Sequence, residues 1–305
     1  MSGPSVCGPD RSWCCGVGPV LQNSDVRQTS DEEPILPRDR HGVLHPANLP
    51  RFAARRYSPS PAAATLVDGY WEVSWRLPPG ESIRQRVIEF PAITLTLESG
   101  EVPAPLVLTG VHSRAWVREI SGEGTAFGIR LRPAGIVLLG GLTPQQVADR
   151  TVPVTADDPD PAVHALLVAV ARAGDAAGRI RLMDDHAAAA ASRAGELHLL
   201  ANRVVDRLLA DVHRPGGAEL AGLVGAGERS VQRALRATLG RGPTWVARRI
   251  RLQEVARLLA TRPDLDITSV AADLGYTDQA HLTTDFRGVA GVTPAAYRRS
   301  VVAGS

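Results

Sequence analysis

Lysine is missing from this 305-residue chain: all 34 basic residues are arginine, set against 32 acidic ones. With every cation an arginine, no arginine marks a site by its identity alone. Lysine avoidance beside so much Ala and Gly points to a GC-rich genome rather than to a mechanism. Cysteine is scarce, with Cys7, Cys14 and Cys15 all in the first fifteen positions. Structural zinc wants four ligands in pairs such as C-x-x-C, and the adjacent Cys14-Cys15 does not supply them. There is no apolar stretch of about 18 residues and no basic flank leading into an apolar segment, so neither a membrane span nor a signal peptide is expected. That places the chain in the cytoplasm, without a membrane partner. Enzyme signatures are missing too: no G-x-S-x-G, no phosphate-binding glycine loop, no H-E-x-x-H or H-x-x-E-H. His112 and His164 stand isolated. The expectation is a non-enzyme without catalytic residues, cofactor or metal.

What is present is the composition of a globular chain, 44% hydrophobic and 22% charged, and a length sufficient for two domains with real cores. The small net charge of +2 divides unevenly. From Ala201 onward there are 15 Arg against 10 acids, and before it 19 Arg against 22 acids. A basic surplus gathered at one end is the electrostatic footprint a polyanion requires.

The chain is expected to be α+β. Residues 1–48, rich in Gly, Pro, Ser and charge, read as a disordered tail in which His41 and His45 are solvated. Residues 49–155 read as a β-rich sensing or dimerisation domain, barrel or sandwich-like, with helices. Its expected strands are Tyr70–Leu77, Gln85–Phe90, Ile93–Glu98, Phe127–Arg132, Val111–Ile120 and Ala104–Leu108. Trp71, Trp75 and Trp116 fall here with Arg130. Trp71 and Trp75, four apart in a strand, share a face, which suits core or pocket equally. If the face is a pocket, the aromatics would stack on a small molecule, and Arg114, Arg130 or Arg132 would grip an anionic group. Helices follow at 134–139, 144–149, 161–173 and 179–193, the last two overlapping a connector at 156–196. The stripe Val163, Leu166, Leu167, Val170 needs a partner surface, either a second copy of the chain or its own β-domain.

Residues 197–300 read as an all-α domain: an amphipathic helix at 197–212, then two helix-turn-helix units joined by one long helix. Ala221-x-x-x-Gly225 recurs as Ala271-x-x-x-Gly275 about fifty residues later. Two short helices crossing steeply need a small residue at the contact and Gly where the turn forces φ > 0. Behind the turns come Val231, Ala234 and Leu235 in one unit and Leu282 and Phe286 in the other, with Thr277 or Asp278 as N-cap of the latter. Between the units, apolar residues from Val246 to Leu259 carry helical periodicity until Arg262-Pro263 stops it.

The runs Arg229–Arg236, Arg251–Leu259, Ile267–Tyr276, His281–Arg287 and Gly291–Arg298 together resemble the DNA-binding domain of AraC/XylS-family transcription regulators. Leu66–Val73 and Phe127–Gly135 resemble an uncharacterised amino-terminal domain often fused to it. The resemblance implies a sequence-specific regulator bound to double-stranded promoter DNA. It leaves room for a small-molecule effector, RNA polymerase and a homodimer as further partners. Two other readings carry less weight: a DNA-repair alkyl-transfer regulator, which needs more cysteines, and a small-molecule-binding barrel with secondary DNA binding.

By alignment to the family's motifs, Arg229, Gln232 and Arg233, with Arg236 on the same face, would read bases. In the second unit the corresponding set is Gln279, His281, Thr283 and Thr284. Thr284 and Ala280 stand where the family commonly has longer polar side chains, and Asp285 adds a negative charge that phosphate would oppose. The second head is therefore expected to read poorly, with Gln279 its best base contact, unless Asp285 turns away to pair with Arg287 or Arg298.

Overall fold

In the computed structural model the described residues are 42–157, 161–212 and 217–303. The three cysteines and His41 lie outside them. Among the described residues eight strands form two sheets. A six-stranded antiparallel sheet has the order β1 (Phe52–Tyr57), β2 (Val67–Arg76), β7 (Glu123–Leu131), β4 (Thr94–Gly100), β5 (Leu106–Thr109), β8 (Thr151–Pro153). The remaining two, β3 (Ser82–Val87) and β6 (Trp116–Ser121), make a separate antiparallel ribbon. The large sheet is open, its edge strands β1 and β8 unpaired with each other, so the β-domain is not a closed barrel. Sequence reasoning missed both edges: β1 holds Arg55 and Arg56, and β8 is three residues long.

Strand alternation assigns the two faces of the large sheet different work. Tyr70, Leu95, Leu108, Phe127 and Ile129 share one face and are almost fully buried. The helices α2 (Pro161–Arg172) and α3 (Ala176–Ala190) cover it, together with a 3-10 segment at Pro133–Leu139. The α2 stripe of Val163, Leu166, Leu167 and Val170 thus finds its partner surface within its own chain. One polar pair is enclosed there. The Tyr70 hydroxyl donates to Asp184 Oδ1 at 2.5 Å, and the Ser60 amide donates to Oδ2 at 2.8 Å. Burial and the adjacent carboxylate push the Tyr70 hydroxyl far above the phenol range, so it remains a donor. The short helix α1 (Pro144–Val147) precedes β8 and is opened by Thr143, whose amide donates to Gln146 Oε1 at 2.7 Å.

The rest is helical: α4 (Glu196–Ala210), α5 (Ala218–Leu223), α6 (Glu228–Leu239), α7 (Pro243–Thr261), α8 (Ile267–Asp273), α9 (Gln279–Ala290) and α10 (Pro294–Ala303). The apolar core of the sheet continues without a break through α4, α5, α6 and the first half of α7, as far as Ile250. A second core begins at Leu252 and gathers the rest of α7 with α8, α9 and α10. Leu44 and Ile88, from the β-domain, are buried in that second core. Residues 42–48, expected at the sequence level to belong to an unstructured tail, are packed: Val43 bridges to Val87, and Leu44 is 3% exposed. Among the described residues no helix is long and apolar enough to cross a membrane.

Candidate nucleic-acid interface and ligand cleft

Each helix-turn-helix unit is built as its spacing requires. Ala221 and Ala271 are buried at the helix crossings, and Gly225 and Gly275 take φ of 66° and 70°, which side chains rarely adopt. Asp278 is the N-cap of α9, accepting from the His281 amide at 2.7 Å.

On α6 the buried set is Val231, Ala234, Leu235, Thr238 and Leu239. That leaves Arg229, Gln232, Arg233 and Arg236 together on the solvent face, all exposed. Some arginines elsewhere are neutralised by carboxylates. Arg118 pairs with Glu98, Arg130 with Asp68, Arg241 with Asp149, Arg248 with Asp285 and Arg257 with Glu254. Among the described residues no carboxylate pairs with Arg229, Arg233 or Arg236. Three uncompensated guanidinium groups thus project from one helix face, each a planar fork suited to guanine O6 and N7 or to phosphate oxygens. Gln145 of α1, which sequence reasoning did not single out, borders this face. Its Nε2 donates to the Arg236 carbonyl at 3.1 Å, and it lines a recess of about 340 Å³ with Arg229, Gln232, Arg233 and Arg236. Only the fold brings α1, some ninety positions upstream, to the end of α6.

The equivalent face of α9 is sparse. Leu282, Phe286, Val289 and Ala290 are buried, and the outward row is Ala280, Thr284 and Gly288, flanked by His281 and Arg287. Thr283, expected on the exposed face, is half-buried. The Gln279 Oε1 accepts from Thr268 Oγ1 at 2.9 Å, so the best-placed reader of this helix is partly engaged by α8. His281 stands edge-on to Tyr276, ring centroids 5.2 Å apart. Arg287 is exposed and was overlooked in the sequence; its place one turn beyond Thr284 was the available signal. Asp285 turns away from the outward row, though not to Arg287 or Arg298. It turns inward, accepting from Arg248 and, at 3.1 Å, from the Tyr276 hydroxyl. Arg298 donates instead to the Leu265 carbonyl.

A second concave surface lies between the large sheet and the ribbon, a cleft of about 1350 Å³. Trp71, Trp75, Trp116 and Arg130 all line it. The two strand tryptophans lie flat because β7 offers glycines opposite them: a Cβ on Gly128 would fall 2.1 Å from the Trp71 ring. Trp75 is 5% exposed, and its Nε1 donates to the Ser121 carbonyl at 3.1 Å, so it belongs to a small core with Phe52, Leu77 and Ile120. Trp71 and Trp116 remain half-exposed walls. Strand register aligns Arg130, Thr94, Thr109 and Thr151 in one row across the floor, with Thr109 and Thr151 hydroxyls 3.4 Å apart. Arg130 is already held by Asp68 and lies over Phe90, and Arg132 is paired with Asp206 outside the cleft. Of the arginines considered for an anion, only Arg114 at the rim carries no carboxylate partner among the described residues. Ile250, Gln253 and Glu254 of α7 also line the cleft, so it touches the helix that joins the two units.

Comparison with known families decides the type. Residues 220–300 match the model of a helix-turn-helix domain. The carboxyl-terminal region is an AraC-type helix-turn-helix domain. Residues 55–153 match a domain of unknown function, DUF6597. These matches support a DNA-binding transcription regulator in which the helix-turn-helix domain follows a β-rich domain of uncharacterised role. No curated protein matches it. Among solved structures it is similar to ToxT from Vibrio cholerae O395, at 12% identity and a TM-score of 0.40, over 76% of this chain and 98% of that one. Unsaturated fatty acid-bound ToxT from strain SCE256 gives 9% identity and a TM-score of 0.39, over 75% and 94%. At these values the superposition is too loose for any residue of ToxT to be carried onto this chain.

Proposed function

We propose that α6 is the base-reading helix of the AraC-type domain, that α9 is chiefly a backbone anchor, and that the cleft takes a small-molecule effector. The observation that carries the first part is the trio Arg229, Arg233 and Arg236, exposed on one face without compensating carboxylates. What favours it over a merely solvated charged face is that the three share one outward row of the helix that follows the Gly225 turn, the helix a helix-turn-helix domain offers to the major groove. The same charge accounting bears on the effector. With Arg118 and Arg130 neutralised, an anion deep in the cleft would have to displace a carboxylate, and Arg114 offers it a cation at the rim. Aromatic walls and a row of threonine hydroxyls suit a neutral, largely apolar ligand that presents hydrogen-bonding groups along one edge.

Selection of bound sites from a random double-stranded DNA library, followed by Arg233→Ala, tests the reading. Loss of a bidentate base contact costs about 1–3 kcal/mol and relaxes preference at one position. Equal weakening on all sequences would reassign Arg233 to phosphate. Thermal-shift screening of the full chain with neutral aromatic compounds tests the cleft, since a ligand of the folded form raises its apparent stability.

A further inference from the structure

The ribbon stands between the cleft and the second helix-turn-helix unit, and its two faces touch different things. Gln85 and Val87 of β3 face the cleft. Arg86, between them, faces the other way and donates to the carbonyl of Ala290 at the end of α9. The amide of Ala115, just before β6, donates to the neighbouring Val289 carbonyl at 2.9 Å. A helix leaves its last carbonyls without intrahelical partners. Two of those of α9 are thus satisfied by the β-domain, with the Arg86 cation at the negative end of the helix dipole. Three further ties reinforce the joint. The Tyr297 hydroxyl on α10 donates to the Val43 carbonyl at 2.7 Å, Gln253 on α7 donates to the Ile88 carbonyl at 2.9 Å, and Leu44 and Ile88 sit in the second unit's core. The first unit is fixed differently, through the apolar core it shares with the large sheet. The β-domain therefore grips both reading heads, each by its own attachment.

We propose that the ribbon β3–β6, acting through Arg86 and the Val43–Tyr297 bond, is a strut that sets the register of α9 relative to α6 on DNA. Helix α7 joins the same two heads, and the rival account is that α7 alone fixes their spacing. The proposal rests on the reading that both heads engage one site, and it does not depend on a ligand in the cleft.

The test uses the full chain and a duplex obtained by selection from a random library. One base pair inserted between the two protected segments rotates the second by about 35° and displaces it along the axis. The parent protein is expected to lose at least about tenfold in affinity on such inserted or shortened sites. In the double variant Arg86→Ala/Tyr297→Phe neither substitution touches a reading face, and the second removes only a hydroxyl, leaving an aromatic ring packed against Phe286. This variant is expected to bind the native spacing about threefold to tenfold more weakly and to distinguish the spacings by less than about threefold. Its binding to a duplex carrying the first segment alone should equal the parent's, which separates lost register from a damaged fold. A variant that discriminates spacing as sharply as the parent, or binds the native spacing more tightly, overturns the strut. Should selection return sites with information and protection in one segment only, the two-head reading fails and the strut with it.

Discussion

Asp285 offers a decisive perturbation, because the structure gives it partners, Arg248 and Tyr276, that the sequence did not single out. Its side chain is 11% exposed and accepts from both Arg248 and the Tyr276 hydroxyl. Burial and this carboxylate raise the Tyr276 hydroxyl well above the usual phenol range, which keeps it a donor. Asp285→Ala strands that hydroxyl in a residue only 5% exposed. A lost hydrogen bond to a buried charged acceptor costs about 1.5–3 kcal/mol. The pair with Arg248, itself 44% exposed, adds about 0–1 kcal/mol after solvent screening. Together these give about 1.5–4 kcal/mol for Asp285→Ala. Asp285→Asn, which keeps an acceptor for Tyr276, should cost about 1 kcal/mol. Urea denaturation of the parent, both variants, Tyr276→Phe and the double variant Tyr276→Phe/Asp285→Asn should show this order and a coupling of about 0.5 kcal/mol or more. DNA affinity measured by anisotropy should change by less than about threefold for Asp285→Asn, since the carboxylate does not face phosphate. A variant as stable as the parent that binds DNA about tenfold more tightly would refute the inward placement and restore the repulsive role.

The Asp149 carboxyl is pulled two ways: burial works to raise its pKa, but hydrogen bonds from the Ser113 side chain and amide, with the Arg241 cation, hold it at about 2, against an ordinary 3.8. A depressed carboxyl stabilises the fold above its unfolded pKa and loses that contribution as pH falls through the folded one. The advantage of the parent over Asp149→Asn, about 1 kcal/mol for a pair this exposed, should therefore be constant from neutral pH to about 5, fall progressively below that, and vanish near pH 1 in urea melts. Asn tolerates the φ of 58° at this position, so backbone strain does not confound the comparison. Trp75→Ala should cost about 3–5 kcal/mol in the same assay, whereas Trp71→Ala should cost less and abolish any ligand-induced thermal shift. Equal costs for the two would refute the division into core and wall. Thr284→Arg, at an exposed position, should create a base preference of about 1–3 kcal/mol in the second segment, read by site selection; no new preference would mean that α9 does not face the groove.

The reading heads were legible because their causes are local. A small residue at a helix crossing, Gly at φ > 0, an Asp N-cap and an i, i+3, i+4 stripe are each written within one turn of chain, so α6, α9 and their buried faces followed from spacing, though Thr283 of α9 is half-buried where exposure was expected. The Trp71 and Trp75 face was legible for the same reason, as a period of two. What the sequence did not disclose depends on partners far along the chain. Arg130 and Arg118 look like free cations until Asp68 and Glu98 are brought beside them. Arg249, in an arginine-rich stretch of α7, is 2% exposed, and it donates to the His112 and Arg114 carbonyls while its guanidinium lies over the Trp245 ring. Burial lowers its pKa to about 10, still far above neutrality, so it remains charged. Nothing in helical periodicity marks such a residue, because the carbonyls that receive it lie more than 130 positions away. Segment 42–48 shows the same blindness in reverse, its composition suiting a loose tail while Val43 and Leu44 fill sites on β3 and the second unit.

The contrast between the two reading faces gives the contacts at the ribbon their significance. A helix that offers Ala280, Thr284 and Gly288 to the groove makes few base contacts, and contacts to phosphate carry no sequence information of their own. Such a head adds affinity on any DNA. It adds specificity only if its distance and rotation from α6 are fixed, because then its phosphate contacts form at full strength only when α6 is in register with its own bases. Loosely tethered, it would stabilise wrong registers as well as the right one. A poor reader is thus useful in proportion to the rigidity with which it is held. In this chain the rigidity has two sources: α7, running about 28 Å along its 19 residues, and the carbonyls of Val289 and Ala290 tied to the β-domain. The side chains that α9 lacks are replaced by geometry, and that geometry is anchored to the wall of the cleft in which an effector would bind.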